Sequence, residues 1–182
     1  MKYEARELTL KNGARLILRS PAPEDAEALL DYLRRVAGET YFLMAYPDEP
    51  GKTLAEEREF LERALASKRQ LMLSAFDGAR VVGNCSFNEI SPREKARHRA
   101  GLGIAVTREF WGCGLGRALL REAAARAKDA GYEQLELGVY ADNERALRLY
   151  ESEGYALCGR IPNAFRLRDG SYRDELMMAK AL

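Results

Sequence analysis

The feature that most constrains this fold is a junction. The nearly continuous apolar stretch Ala100 to Val106 and the short link Thr107 to Phe110 are followed by Trp-Gly-Cys-Gly-Leu-Gly at Trp111 to Gly116, which runs straight into a helical pattern. Such an apolar run reads as a buried strand. The pattern after it sets Leu115, Ala118, Leu119, Ala123 and Ala127 on one face, turns Arg117, Arg121 and Lys128 outward, and stops at Gly131. A buried strand joined to an amphipathic helix through alternating glycines requires layered α and β structure, with a helix N-terminus at the end of a strand.

The chemistry of that turn is anion capture. Glycines at 112, 114 and 116 allow backbone conformations closed to other residues and leave no side chain to block a phosphate. Several amides then converge at a helix N-terminus, where unpaired N–H groups and the helix dipole both favour negative charge. Spacing narrows the ligand. Arg117 and Ala118 follow Gly116, where a nucleoside triphosphate loop needs Lys and then Ser or Thr. In a dinucleotide turn the third glycine would fall on Arg117 or Leu119, so neither frame works.

The rest of the chain supplies the layers. Glu4 to Leu18 alternates around Lys11, Asn12 and Gly13, a hairpin signal. Pro21 to Glu24 leads into a helix with Ala26, Leu29, Leu30 and Leu33 on its apolar face. Thr53 and Glu56 form a capping box ahead of a second helix carrying Leu54, Phe60, Leu61, Ala64 and Leu65. Strands follow at Gln70 to Phe76 and Arg80 to Ile90 around Asp77 and Gly78, then a solvated loop, Ser91 to Arg97. After the glycine turn and its helix come a strand at Gln134 to Tyr140, a short helix at Glu144 to Glu153, and two strands around Asp169 and Gly170. The order β, β, α, α, β, β, β, α, β, α, β, β predicts one α+β domain spanning residues 1 to 182.

Composition removes several alternatives. Lysine and arginine number 29 against 28 acidic residues, so there is no basic field for nucleic acid. Cys85, Cys113 and Cys158 are scattered, with only His98 to help them, which predicts neither a metal site nor a disulfide framework. The first ten residues lack the apolar core of a signal peptide and no stretch is long enough to span a bilayer, so the expectation is a cytoplasmic protein without membrane association.

With these residues in view, the chain resembles the GNAT superfamily of acyl-CoA dependent N-acetyltransferases. Gly114 and Gly116 match the two required positions of that family's pyrophosphate loop, with Trp111 where arginine or glutamine is usual. The preceding AGLGIAV is similar to the family's fourth strand, and LGVYADNERALRLYESEGY to its fifth strand and following helix. The ending FRLRDGSYRDELMMAKAL is similar to a bacterial subgroup acting on small molecules of amino-acid or polyamine type.

The resemblance implies a GNAT-like fold, a mixed, mostly antiparallel central sheet of about seven strands flanked by about four helices. It implies acetyl-CoA as co-substrate, held by Ile104, Ala105, Val106, Trp111, Gly112, Cys113, Gly114, Leu115, Gly116, Arg117, Asn143 and Tyr150. It also implies direct attack of a primary amine on the thioester, with Tyr150 as the acid that protonates the leaving thiolate. From spacing alone Tyr150 is equally a packed residue beside Ala146 and Leu149, and Asn143 equally a helix cap.

Tyr41, Phe42 and Tyr140 are the candidate acceptor contacts, the first two in an irregular segment, Glu39 to Lys52, that also carries Met44, Tyr46, Asp48 and Glu49. The general base is vacant: Gly101 stands where similar chains carry Glu, which leaves Glu89 or Asp142 acting through water, or an amine that arrives neutral. That vacancy keeps a non-catalytic acyl-CoA-binding module as the alternative, and a homodimer is compatible with either reading.

Overall fold

In the computed structural model, which describes residues 1–182, the N-terminal hairpin pairs β1 (Arg6–Thr9) with β2 (Arg15–Arg19). Helices α1 (Ala26–Glu39) and α2 (Leu54–Ala66) follow, then the antiparallel strands β3 (Leu71–Asp77), β4 (Arg80–Glu89) and β5 (Arg99–Val106). The glycine turn leads into α3 (Leu115–Asp129), and β6 (Gln134–Tyr140), α4 (Glu144–Ser152), β7 (Ala156–Arg166) and β8 (Tyr172–Ala181) complete the chain. All eight strands join one sheet in the order β1-β2-β3-β4-β5-β6-β8-β7, one more than the resemblance implies, because the short β1 pairs at the outer edge. The only parallel neighbours are β5 and β6. No helix is long and apolar enough to cross a membrane.

Local chemistry accounts for the elements. The capping box of α2 forms as expected: the Thr53 hydroxyl accepts from the Glu56 amide at 3.3 Å, and the Glu56 carboxylate accepts from the Thr53 amide at 2.7 Å. On α1 the buried stripe is Ala26, Leu29, Tyr32 and Val36, while Leu33, expected on that face, is 45% exposed. A tyrosine took the place assigned to leucine because its hydroxyl finds a partner, donating to the Ala105 carbonyl at 2.7 Å. On α2 the stripe is Glu57, Leu61 and Ala64; Leu54 is 38% exposed, and buried Glu57 accepts from Lys52 at 3.0 Å.

Two cores lie on opposite faces of the sheet. One packs Leu115, Leu119, Leu120, Ala123 and Ala127 of α3 against inward residues of β3 to β6. The other packs α1 and Leu61 of α2 against Phe76 and Val81. Each large side chain so buried stabilises the fold by about 1.5–3 kcal/mol. Gly83 on β4 lets α3 come close: a Cβ there would lie 3.1 Å from Leu115 and 3.2 Å from Leu119. The N-terminus of α3 therefore rests against the sheet.

Candidate active site

β5 and β6 pair over only three positions, Arg99 with Gln134, Ala100 with Leu135 and Gly101 with Glu136, and then part. Glu136 clamps the closed end by accepting from both nitrogens of one edge of the Arg99 guanidinium, one bond being 2.7 Å. Beyond it the strands diverge and open a cleft of about 960 Å³, with Leu102 to Val106 on one wall and Leu137 to Tyr140 on the other. That volume falls within the range of small-molecule sites.

The glycine turn closes one end of the cleft. Gly112 has φ 75° and Gly114 φ 95°, left-handed values that favour glycine. Gly116 differs, because it lies inside α3, and its reason is packing: a Cβ would lie 3.1 Å from Leu149 on α4. Main-chain bonding lapses across this stretch. The Trp111 amide donates to Arg108 and the Ala118 amide to Gly114, but the amides of residues 112 to 117 have no acceptor in the chain. The first turn of a helix always leaves donors unpaired. Here the left-handed glycines extend that row through the turn.

Of the residues expected to hold the coenzyme, Ile104, Ala105, Val106, Trp111, Gly112, Gly114 and Gly116 line the cleft, and so do Arg117, Asn143 and Tyr150. Cys113 and Leu115 do not; Leu115 is fully buried beneath the turn. The Trp111 indole donates to the Val106 carbonyl at 2.7 Å, fixing the turn to the end of β5. The Arg145 guanidinium lies 3.9 Å above the Trp111 ring. Arg117 is already engaged, since it and Arg121 both pair with the buried Glu153, each at 2.8 Å. Sequence reasoning missed Lys11, whose amide donates to the Cys113 carbonyl at 3.2 Å and whose side chain also lines the cleft.

Asn143 caps α4, accepting from the Ala146 amide at 3.2 Å while still facing the cleft. Tyr150 is 7% exposed, with its ring 5.8 Å from Tyr155. Burial, and next the Cys85 thiol, push the Tyr150 phenol well above its ordinary range. It therefore keeps its proton at neutral pH and presents a hydrogen-bond donor.

At the other end Phe42, Tyr140 and Phe165 form an aromatic wall: Phe42 meets Tyr140 edge-on at 5.7 Å, and Tyr140 stacks on Phe165 at 3.9 Å. Tyr41 touches both Phe42 and Tyr140 but lies outside the cleft, its hydroxyl donating to Asp142 at 2.8 Å. Asp142 also pairs with Arg173 at 3.0 Å. Glu89 lies outside the cleft beside Arg69 at 3.5 Å, and Gly101 stays within the paired stretch. Asp48 and Tyr46 latch onto Arg168 near the turn between β7 and β8.

Besides Asp142 the cleft holds two carboxylates that were not foreseen, Glu144 on α4 and Glu175. Glu175 stands opposite Tyr140 in the pairing of β6 with β8. Its side chain lies across Gly138, so close that a Cβ there would fall 2.0 Å from Glu175 Oε1. The signal was present: an isolated glycine inside the strand Gln134–Tyr140 marks a close approach by another group. Burial first, and neighbouring acids including Asp142 and Glu175, raise the Tyr140 phenol.

A family model described as the acetyltransferase (GNAT) family matches residues 26–155. An acetyltransferase of the GNAT family from Streptococcus pneumoniae is 30% identical and superposes with a TM-score of 0.87 over 92% of this chain and 99% of that one. An L-amino acid N-acetyltransferase of Escherichia coli is 29% identical over 110 residues, covering 60% of this chain and 66% of that protein. The curated relatives are matched over 16 to 66% of their own lengths. A Salmonella typhimurium protein described with its cofactor acetyl-CoA is 19% identical, with a TM-score of 0.79 over 93% of this chain and 95% of that one, a likeness of fold.

Proposed function

The chain belongs to the acetyltransferase (GNAT) family, and from that premise we propose that it transfers the acetyl group of acetyl-CoA to the primary amine of a small molecule by direct attack. The observation that carries this reading is the row of unpartnered amides at 112 to 117, on a turn whose Gly112, Gly114 and Gly116 line the same cleft as Tyr150. The amides and the α3 dipole would take the pyrophosphate, with Lys11 adding a charge beside the turn. Ile104, Ala105 and Val106 offer an apolar wall along β5. The Salmonella relative described with acetyl-CoA and the Escherichia coli L-amino acid N-acetyltransferase support the same co-substrate and chemistry.

In the reaction the amine nitrogen bonds to the thioester carbonyl carbon, the C–S bond breaks, and the sulfur leaves with the electron pair. In this reading Tyr150, which lines the cleft, donates to that sulfur. Its raised proton affinity shapes the role, because a thiol of pKa about 8.5 is the stronger acid. The phenol therefore stabilises developing charge by hydrogen bonding. The nitrogen attacks as the neutral amine, after the bound ammonium has released one proton to solvent, and the proton that ends on sulfur is the second one the nitrogen gives up. Free Cys85, Cys113 and Cys158 suit the reducing cytoplasm that this reading assumes.

Calorimetric titration with acetyl-CoA, followed by thiol release across amino acids, polyamines and peptide N-termini, tests the proposal. Saturable binding and release with at least one amine is expected; absence of binding refutes it. Tyr150→Phe should lower kcat by about 10²–10³-fold, the usual weight of one hydrogen-bond donor to developing charge, with acetyl-CoA affinity little changed. Full turnover in that variant removes Tyr150 from the chemistry.

A further inference from the structure

Three carboxylates line the cleft, Asp142, Glu144 and Glu175. Asp142 is held by Arg173 and Tyr41, and Glu144 by Arg148 at 3.0 Å. Glu175 alone has neither an ion-pair partner nor a hydrogen bond within the chain, although it is half-buried. A carboxylate so placed is costly to desolvate without a cation, and a bound ammonium would supply one. Its surroundings fix what accompanies that ammonium. The aromatic wall of Phe42, Tyr140 and Phe165 favours an apolar body and also attracts a cation. The cleft's basic side chains, Lys11, Arg117, Arg145 and Arg148, stand on the N-terminal hairpin, α3 and α4, and the acceptor end has none free, since Arg173 pairs with Asp142.

Resting on the acetyltransferase reading, we propose that Glu175 is the specificity-determining residue for the acceptor, binding it as a primary ammonium on an apolar body that carries no carboxylate next to the amine. A free α-amino acid would bring its own carboxylate within reach of Glu175 with no cation to offset it. An amine whose neighbouring carboxyl is masked as an amide avoids that repulsion. Gly138 is the positional counterpart: it holds space for the glutamate, and a methyl group there pushes the carboxylate aside without altering any charge.

Phenylalanine and phenylalanine amide, which share a side chain, separate the cases. Each is titrated calorimetrically into the protein and then assayed for thiol release with acetyl-CoA. The amide should bind at least tenfold more tightly and show at least tenfold higher kcat/KM, carried mainly by KM. Glu175→Gln should reduce this preference to within about threefold and leave acetyl-CoA affinity unchanged. Gly138→Ala should do the same, and the double variant should be no worse than either single one, because both remove the same contact. Equal or tighter binding of the free amino acid, or a preference that survives both substitutions, overturns the proposal. Those titrations need no coenzyme, so a failure of acetyl-CoA to bind would refute the transferase reading while the amine titrations still decide the role of Glu175.

Discussion

Gly114→Ala isolates conformational strain at the coenzyme turn. The residue has φ 95°, and a Cβ there would meet only Lys11, at 3.8 and 4.0 Å. These are ordinary van der Waals contacts, so the penalty is backbone strain, about 1–2 kcal/mol for an L-residue held in the left-handed region. Strain of that size must surface in one of two measurements. If the turn keeps its shape, the folded state bears it, and Tm falls by roughly 2–8 °C for a domain of this size. If the turn relaxes, Tm is retained, the amides lose their alignment, and restoring it on binding raises the acetyl-CoA Kd by roughly 5–30-fold. Scanning calorimetry with isothermal titration on the same sample reads both. A variant unchanged in Tm and in Kd refutes the argument that this glycine is needed for its φ. Gly116→Ala is the contrasting case, because its new methyl meets Leu149 at 3.1 Å; Leu149→Ala should rescue it and should not rescue Gly114→Ala.

Two further expectations concern the frame around the site. Leu119→Ala, at a fully buried position of α3, should cost about 2–5 kcal/mol and roughly 4–20 °C in Tm, and a loss below about 1 kcal/mol by chemical denaturation would contradict the core assignment. The Arg99 guanidinium, bonded to Glu136, holds that carboxyl below its ordinary value of 4.5. A depressed folded value means that the clamp stabilises the protein above about pH 4.5 and is lost as pH falls through the folded value. The advantage of the native chain over Glu136→Gln in urea midpoint should therefore shrink on going from about pH 7 to about pH 3, and an advantage independent of pH would exclude the clamp as its source.

The coenzyme end of the cleft was legible in the sequence because its determinants are local: a strand, a turn with glycines at fixed offsets, and a helix start lie within one short stretch. That Asn143 and Tyr150 share one stretch was legible for the same reason: Asn143 caps the short helix on which Tyr150 stands, and both line the cleft. The acceptor end depends on register between distant strands. Nothing near Glu175 in the chain reveals that it stands opposite Tyr140 and lies over Gly138. Nor does the sequence around Asp142 reveal that Tyr41 and Arg173 bond to it. The misplacement of Leu33 is of a third kind: periodicity identified the helix, but a one-residue rotation of the stripe was decided by a hydrogen bond from Tyr32 to a strand far along the chain.

The brevity of the parallel pairing between β5 and β6 also bears on how such a protein can change. A seam only three positions long joins two half-sheets that serve different ends of the cleft. On the function proposed above, strands β1 to β5 support the turn that would take the donor, while β6 to β8 present Tyr140, Phe165 and Glu175, which would meet the acceptor. Substitutions that resize the second half leave the register of the first untouched. Donor chemistry can thus stay fixed while the range of acceptors drifts, a division of labour set at the point where two neighbouring strands part.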